Sequence, residues 1–231
     1  MTKLLTVAEM MCRDLARRRT ALGLLALVPL TFYLARHTDQ PEKAIRFAGL
    51  GLAWAVSTAA LFTSNTTKAV ESRLRQTGFR VFHLYVGTLL ALLSLGAVLG
   101  GAYWGLIVLD QDLDRPLAVG LEFGLTVLVA APLGLLISAL APRDLEGTLI
   151  LITLTGLQFL VDPAEELAKL LPFWSTREVG IYGVEMGAVD HLRDGVVHAA
   201  IYVGVLLAAT AGMAAYRLRR RSHIRLQAAG A

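Results

Sequence analysis

One ionisable side chain, Glu122, falls inside the long apolar stretches of this chain, and it is the first residue whose chemistry needs a reason. Burying charge in hydrocarbon costs several kcal/mol, so a residue of this kind is read as functional by default. It lies six residues past Pro116, about 9 Å along a helix, where it can snorkel outward or face a cavity. Glu122 and its neighbour Phe123 are therefore candidates for a substrate path. Apart from Arg46 and Glu146 at their very ends, the apolar stretches hold no other Asp, Glu, Lys or Arg, which argues against a proton- or ion-coupled pump. A second group is His191 and His198, two helical turns apart on one face, with Asp190 and Asp194 beside them. These residue types suit a metal or proton site, and equally suit ordinary polar residues at a membrane interface. The third candidate is Thr66 to Arg80, TTKAVESRLRQTGFR, a basic interruption between two apolar runs. Ala69, Leu74 and Phe79 interleave there with Glu71, Arg73, Arg75 and Arg80. A short helix of that pattern can place an apolar edge in a partner's groove and its charges on the rim. A solvated basic loop without a partner would have the same composition.

Several chemistries are excluded by missing motifs. No lysine follows a glycine, so no G-x-x-x-x-G-K-[ST] occurs and the chain has no P-loop for ATP. H-E-x-x-H, G-x-S-x-G and Cys/His clusters with ligand spacing are missing as well. Cys12 is the lone cysteine, which rules out a disulfide framework within one chain and any cysteine-based metal cluster. The expectation is a protein without a metal or cofactor of its own and without affinity for nucleic acid.

The elements that must position these residues follow from hydropathy. Of 231 residues 55% are hydrophobic and only 17% charged, with mean hydropathy +0.59. Stretches of 18 or more nearly uncharged residues recur, each long enough for a hydrocarbon core of roughly 30 Å. The alternating segments of a β-barrel are not seen. The fold class is all-α and polytopic, with six spans expected at 20–35 (containing Pro29), 44–63, 81–109, 117–141, 145–161 and 195–216. The third of these is about 43 Å long as a helix, so it tilts or begins outside the bilayer. Residues 1–19 carry Leu4, Ala8, Met11, Cys12 and Leu15 on one face and Lys3, Arg13, Arg17, Arg18 and Arg19 elsewhere. That pattern suits an amphipathic helix lying in the interface, or a basic tail that only sets topology. No cleavable signal peptide is expected, because the first apolar run is followed by further spans. Residues 162–194 are too polar to span, and 217–231 form a basic tail.

Sidedness can be counted. With six spans, 15 of the 22 Lys and Arg fall on the side of the two termini, and 13 of the 18 acids fall on the other. Both termini are thus expected in the cytosol. Gly96/Gly100, Gly101/Gly105 and Gly120/Gly124 have the spacing that permits close helix approach, within one bundle or between chains. Tyr103-Trp104 and Phe173-Trp174 sit at expected outer boundaries, as interface anchors do.

Taken together the chain resembles ABC-2 type transporter permeases, the six-span membrane subunits of ABC exporters. A basic amphipathic helix leads into the first span, similar to the family's connecting helix. Glu71-Ser-Arg-Leu-Arg-Gln-Thr-Gly-Phe-Arg followed by Tyr85-Val-Gly-Thr-Leu-Leu resembles its coupling segment, with Gly78 where a proline is usual. Gly134-Leu-Leu-Ile-Ser-Ala-Leu-Ala-Pro-Arg is similar to the end of its fourth span. Leu171-Pro-Phe-Trp resembles the Pro/aromatic extracellular segment, which forms short re-entrant helices in the family. The acidic-Gly-Thr run common before the coupling region is not found, and the outside loops are short.

The resemblance implies a permease subunit in the cell membrane that is not itself an enzyme. It would move a drug-, lipid- or glycan-like amphiphile outward, pairing with a second permease copy or homologue. ATP and Mg would be bound by a separate ATPase subunit. Val70, Glu71, Arg73, Leu74, Arg75, Thr77, Gly78 and Phe79 would couple the chain to that ATPase. The rival readings are a non-transporting membrane sensor or assembly module, and a lipid-modifying enzyme using Asp190, His191, Asp194 and His198.

Overall fold

The computed structural model describes residues 3–38, 40–76, 78–141, 143–161 and 165–217, apart from the side chains at 41, 68–73, 75, 159 and 217. Among the described residues all regular structure is helical. The helices are α1 (Lys3–Arg17), α2 (Arg19–Leu34), α3 (Pro41–Gln76), α4 (Val81–Asp110), α5 (Pro116–Leu140) and α6 (Asp144–Leu160). After a single 3₁₀ turn (Glu166–Leu170) come α7 (Trp174–Val184) and α8 (Val189–Arg217).

Four of these are long and apolar enough to cross a membrane: Glu42–Thr67 of α3, α4, α5 and Val189–Tyr216 of α8. The remaining two expected spans coincide with shorter helices, α2 with 16 residues and α6 with 17. At 1.5 Å per residue these measure only about 24–26 Å. Helix ends otherwise obey local chemistry. Pro116 opens α5 at the position where its missing N–H costs nothing, and Asp144 and Glu146 place negative charge at the amino-terminal end of α6.

The core is the α3–α5 pair. In each, 72% of the most apolar stretch is buried, against 39% in α4 and 17% in α8, so the last two form the periphery. The two axes cross tightly at Gly134, where an added Cβ would collide with the Ser57 carbonyl oxygen and lie 2.7 Å from the Ala60 side chain. Ser57 Oγ donates to the Ala130 carbonyl at 3.0 Å across the same seam. Helix α2 closes on α3 where Pro29 meets Gly51; a Cβ there would stand 2.7 Å from the proline backbone. Gly96 admits Val127 between α4 and α5, whereas Gly101, Gly105 and Gly124 face open space. Of the glycine spacings in the sequence, only some therefore serve packing within the chain.

Polar ties pin the helix ends. Tyr33 donates to Asp110, which also meets His37 Nε2 at 2.7 Å, so the end of α2 is fastened to the end of α4. At the opposite end Asn65 and Ser138 bond each other, and Asn65 donates to Asp144, joining α3, α5 and α6. Tyr85, near the start of α4, pairs with Thr210, near the end of α8.

The basic stretch at 66–80 differs from its expected form. The helix does not break where hydropathy falls: α3 runs on without interruption to Gln76, and only a short turn separates it from α4. Residues 162–194 are likewise not a plain connection, because α7 within them packs against both α5 and α8. Helix α8 begins at Val189, six residues before the expected start of the last span.

Candidate functional site

Two places gather the residues singled out in the sequence, one at each end of the bundle. The first is the turn between α3 and α4. Gly78 has φ +87°, a left-handed conformation that glycine alone adopts without penalty. The Phe79 N–H reaches back to the Leu74 carbonyl at 3.2 Å, a six-residue closure with glycine in the left-handed position, as in a Schellman cap. The expected apolar contact accompanies it. Leu74 and Phe79 both pack on a small core formed by Val7, Met11, Leu84 and Ala91. Helix α1 is thus seated on the first turns of α4. Its inner face is Val7, Met11 and Leu15; Leu4 and Ala8 lie only at its margin. Gly87 makes the seat, since a Cβ there would come within 2.7 Å of the Val7 side chain.

Lys3 completes the joint: its Nζ donates to the Gly78 carbonyl at 2.9 Å and stands 5.8 Å from the centre of the Phe79 ring. His83 caps α4 by accepting the Arg80 N–H at 3.1 Å. Of the expected coupling residues, Leu74, Gly78 and Phe79 meet in this joint. The side chains of Val70, Glu71, Arg73 and Arg75, and Thr77 altogether, lie outside the described residues. Beside the joint, between α1 and α3, opens a groove of about 620 Å³ edged by Glu9, Arg13, Arg17 and Thr67.

The second place surrounds Glu122, which is 2% exposed and sits within the bundle rather than at a lipid-facing boundary. Its carboxyl group occupies a slot between two glycines. A Cβ on Gly49 of α3 would lie 3.2 Å from Oε1, and one on Gly180 of α7 would lie 3.1 Å from Oε2. Among the described residues no donor reaches Oε2, although the atom is buried. Glu122 borders a cavity of about 280 Å³ whose polar wall also includes Lys43 and Arg46 of α3, Gln158 of α6, and Thr176 and Arg177 of α7. Arg46 is the charged group whose field reaches Glu122. Its Nη2 lies 2.5 Å from Glu185 Oε1 but without the alignment of a hydrogen bond, so the contact is an ion pair at the cavity edge. Arg46 Nε and Gln158 Oε1 are buried with no partner of their own among the described residues. Phe123, 1% exposed, lines an apolar groove between α4 and α5, and its ring lies against the same Gly49 as the Glu122 carboxyl group.

The histidines go to separate tasks. His191 Nδ1 meets Glu178 Oε2 at 2.7 Å, tying α8 to α7. His198 Nε2 meets the Lys169 carbonyl at 2.8 Å, and Tyr202 donates to the Leu170 carbonyl at 3.0 Å, so both hold the 3₁₀ turn down. Trp174 packs edge-on against the His198 ring. Glu166, bonded to Lys169 at 2.9 Å, holds that ammonium above its ordinary value. Among the described residues no group of three His, Cys, Asp or Glu side chains is placed to hold a metal ion.

Sequence reasoning found Glu122 because it was alone among apolar residues. It missed Gly49, Arg46, Gln158 and Gly180, whose roles depend on helices meeting over separations of 36 to 76 residues, for which a single sequence carries no signal. The joint's Lys3–Gly78 bond was equally hidden. No protein-family model matches the chain, and no curated protein is significantly similar to it.

Proposed function

We propose that this chain is the membrane-spanning permease subunit of an ATP-driven exporter, moving an amphiphilic substrate outward across the cell membrane. In this reading α2 and α6 complete a set of six spans, both termini are cytosolic, and a second permease copy or homologue pairs alongside. The observation that carries the reading is the joint of α1, the Gly78 turn and α4. It fuses an amphipathic amino-terminal helix, the far end of a core helix and the start of a peripheral one into a single apolar cluster. A soluble ATPase docking at Val70 to Phe79 would push on three elements at once. Because α3 is one helix, that push reaches the core directly. The groove beside α1, with charges of both signs at its edge, supplies further docking surface. Two-way access requires that ATP favour one arrangement over the other, and the turn is where that difference in free energy would enter.

The test is purification of the tagged chain from native membranes, followed by identification of its partners and a transport assay in vesicles. A stoichiometric P-loop ATPase, together with transport lost in Glu71→Ala and Arg75→Glu at normal membrane insertion, is the expected result. A chain that comes out without a nucleotide-binding partner, or full transport in both variants, would sink the reading.

A further inference from the structure

We infer that the Glu122 cavity is a binding site for a zwitterionic headgroup that carries a phosphate and a primary ammonium. The wall itself sets the terms. Among the described residues, Glu122 Oε2 and Gln158 Oε1 are acceptors with no donor, and Arg46 Nε is a donor with no acceptor, all buried. Buried polar atoms are nearly always satisfied, so a set of unpartnered atoms on one cavity wall describes the missing partner. That partner must donate to two acceptors and accept from a cation. A primary ammonium has three N–H donors for the first task, and a phosphate serves the second, with Lys43 at the rim adding a further positive charge. An anion alone would leave the two acceptors empty, and a cation alone would face Lys43 and Arg46.

Size agrees with a headgroup. The cavity, about 280 Å³, has room for such a group. Phe47, Leu50 and Val161 give the same cavity an apolar side along which a chain could leave. The glycines at 49 and 180 have a reason in this arrangement, because a side chain at either position would crowd the carboxyl group. The inference stands apart from the exporter reading, since binding is measured on the purified chain with no ATPase present.

The test is lipid binding by native mass spectrometry on the detergent-purified chain. Phosphatidylethanolamine is compared with phosphatidylcholine, whose quaternary ammonium has the same charge and no N–H. A preference of tenfold or more for phosphatidylethanolamine is expected, falling to less than threefold in Glu122→Gln. Lys43→Glu, a change at the exposed rim, should weaken both lipids at least fivefold. Should Glu122→Gln fail to fold, Gln158→Leu takes its place, with a reduced preference expected. Equal binding of the two lipids by the unaltered chain overturns the site, as does an unchanged preference in the folded Glu122 or Gln158 variant. Competition by water-soluble phosphoethanolamine would support a site that reads the headgroup alone, and competition by the intact lipid only would support the membrane lipid as its ligand.

Discussion

The joint at the Arg-rich end and the cavity at the opposite end are built from the same device and put it to opposite uses. In both, glycines let backbones or side chains approach more closely than any other residue would allow. At Gly87 the freed space is filled by Val7, and the result is a dry contact between apolar side chains. At Gly49 and Gly180 the freed space holds a carboxyl group, and the polar wall around it is left incomplete. A filled space transmits displacement, because packed side chains are hard to compress. An incomplete polar wall waits for a partner. On the reading proposed above, force and recognition are kept at opposite ends of one bundle.

The contrast can be broken by substitutions that fill each space. Gly180→Leu has the largest expected effect. Its side chain would meet the Glu122 carboxyl group head-on, and overpacking of this kind typically costs about 1–3 kcal/mol, more when a buried carboxyl has nowhere to go. A drop of several degrees in the melting temperature of the purified chain, together with loss of headgroup preference, is the expected result. Gly87→Leu should cost slightly less, about 1–3 kcal/mol, because α1 can lift off. Protease protection of residues 3–17 would fall while headgroup preference stayed as it was; loss of both would show that the two ends are not separate.

Gly78→Val tests the turn alone. A β-branched residue in left-handed backbone costs about 1–2 kcal/mol, and the expected outcome is lower thermal stability with an intact cavity. Lys3→Gln is the smallest change. It removes one exposed hydrogen bond and a cation–ring contact, each worth about 1 kcal/mol or less, so a shift within about 2 °C is expected. A larger shift would give Lys3 a role beyond fastening the turn.

Much of the architecture was legible in the sequence because hydropathy and helical periodicity report on the same helices. Each expected span has a helix at its place, although among the described residues four helices meet the length and apolarity needed to cross a membrane unaided. What misled was the assumption that a helix ends where hydrocarbon ends. Ser64-Asn65-Thr66-Thr67 lowers hydropathy without offering a helix breaker, and no proline or glycine follows until Gly78, so the backbone bonds simply continue. The face of α1 shows a related limit. Its apolar stripe is wide enough to seat on Leu4 and Ala8 or on Val7 and Met11, and only the groove over Gly87 decides between them. At the cavity, the sequence could flag the isolated acid but not its neighbours. Glycines that make room and arginines that lend a field look in a sequence like glycines and arginines anywhere.

The unbroken α3 has one consequence of a different kind. Its first turns contribute Lys43, Arg46, Phe47 and Leu50 to the cavity, and its last turn contributes Leu74 to the joint. A 36-residue helix spans about 54 Å, and along that length its two ends are locked in rotational phase. Inserting a single alanine between Phe62 and Thr63 would leave the sequence at both ends unchanged, yet turn one end about 100° relative to the other. In α3 the number of residues is therefore under the same constraint as their identity.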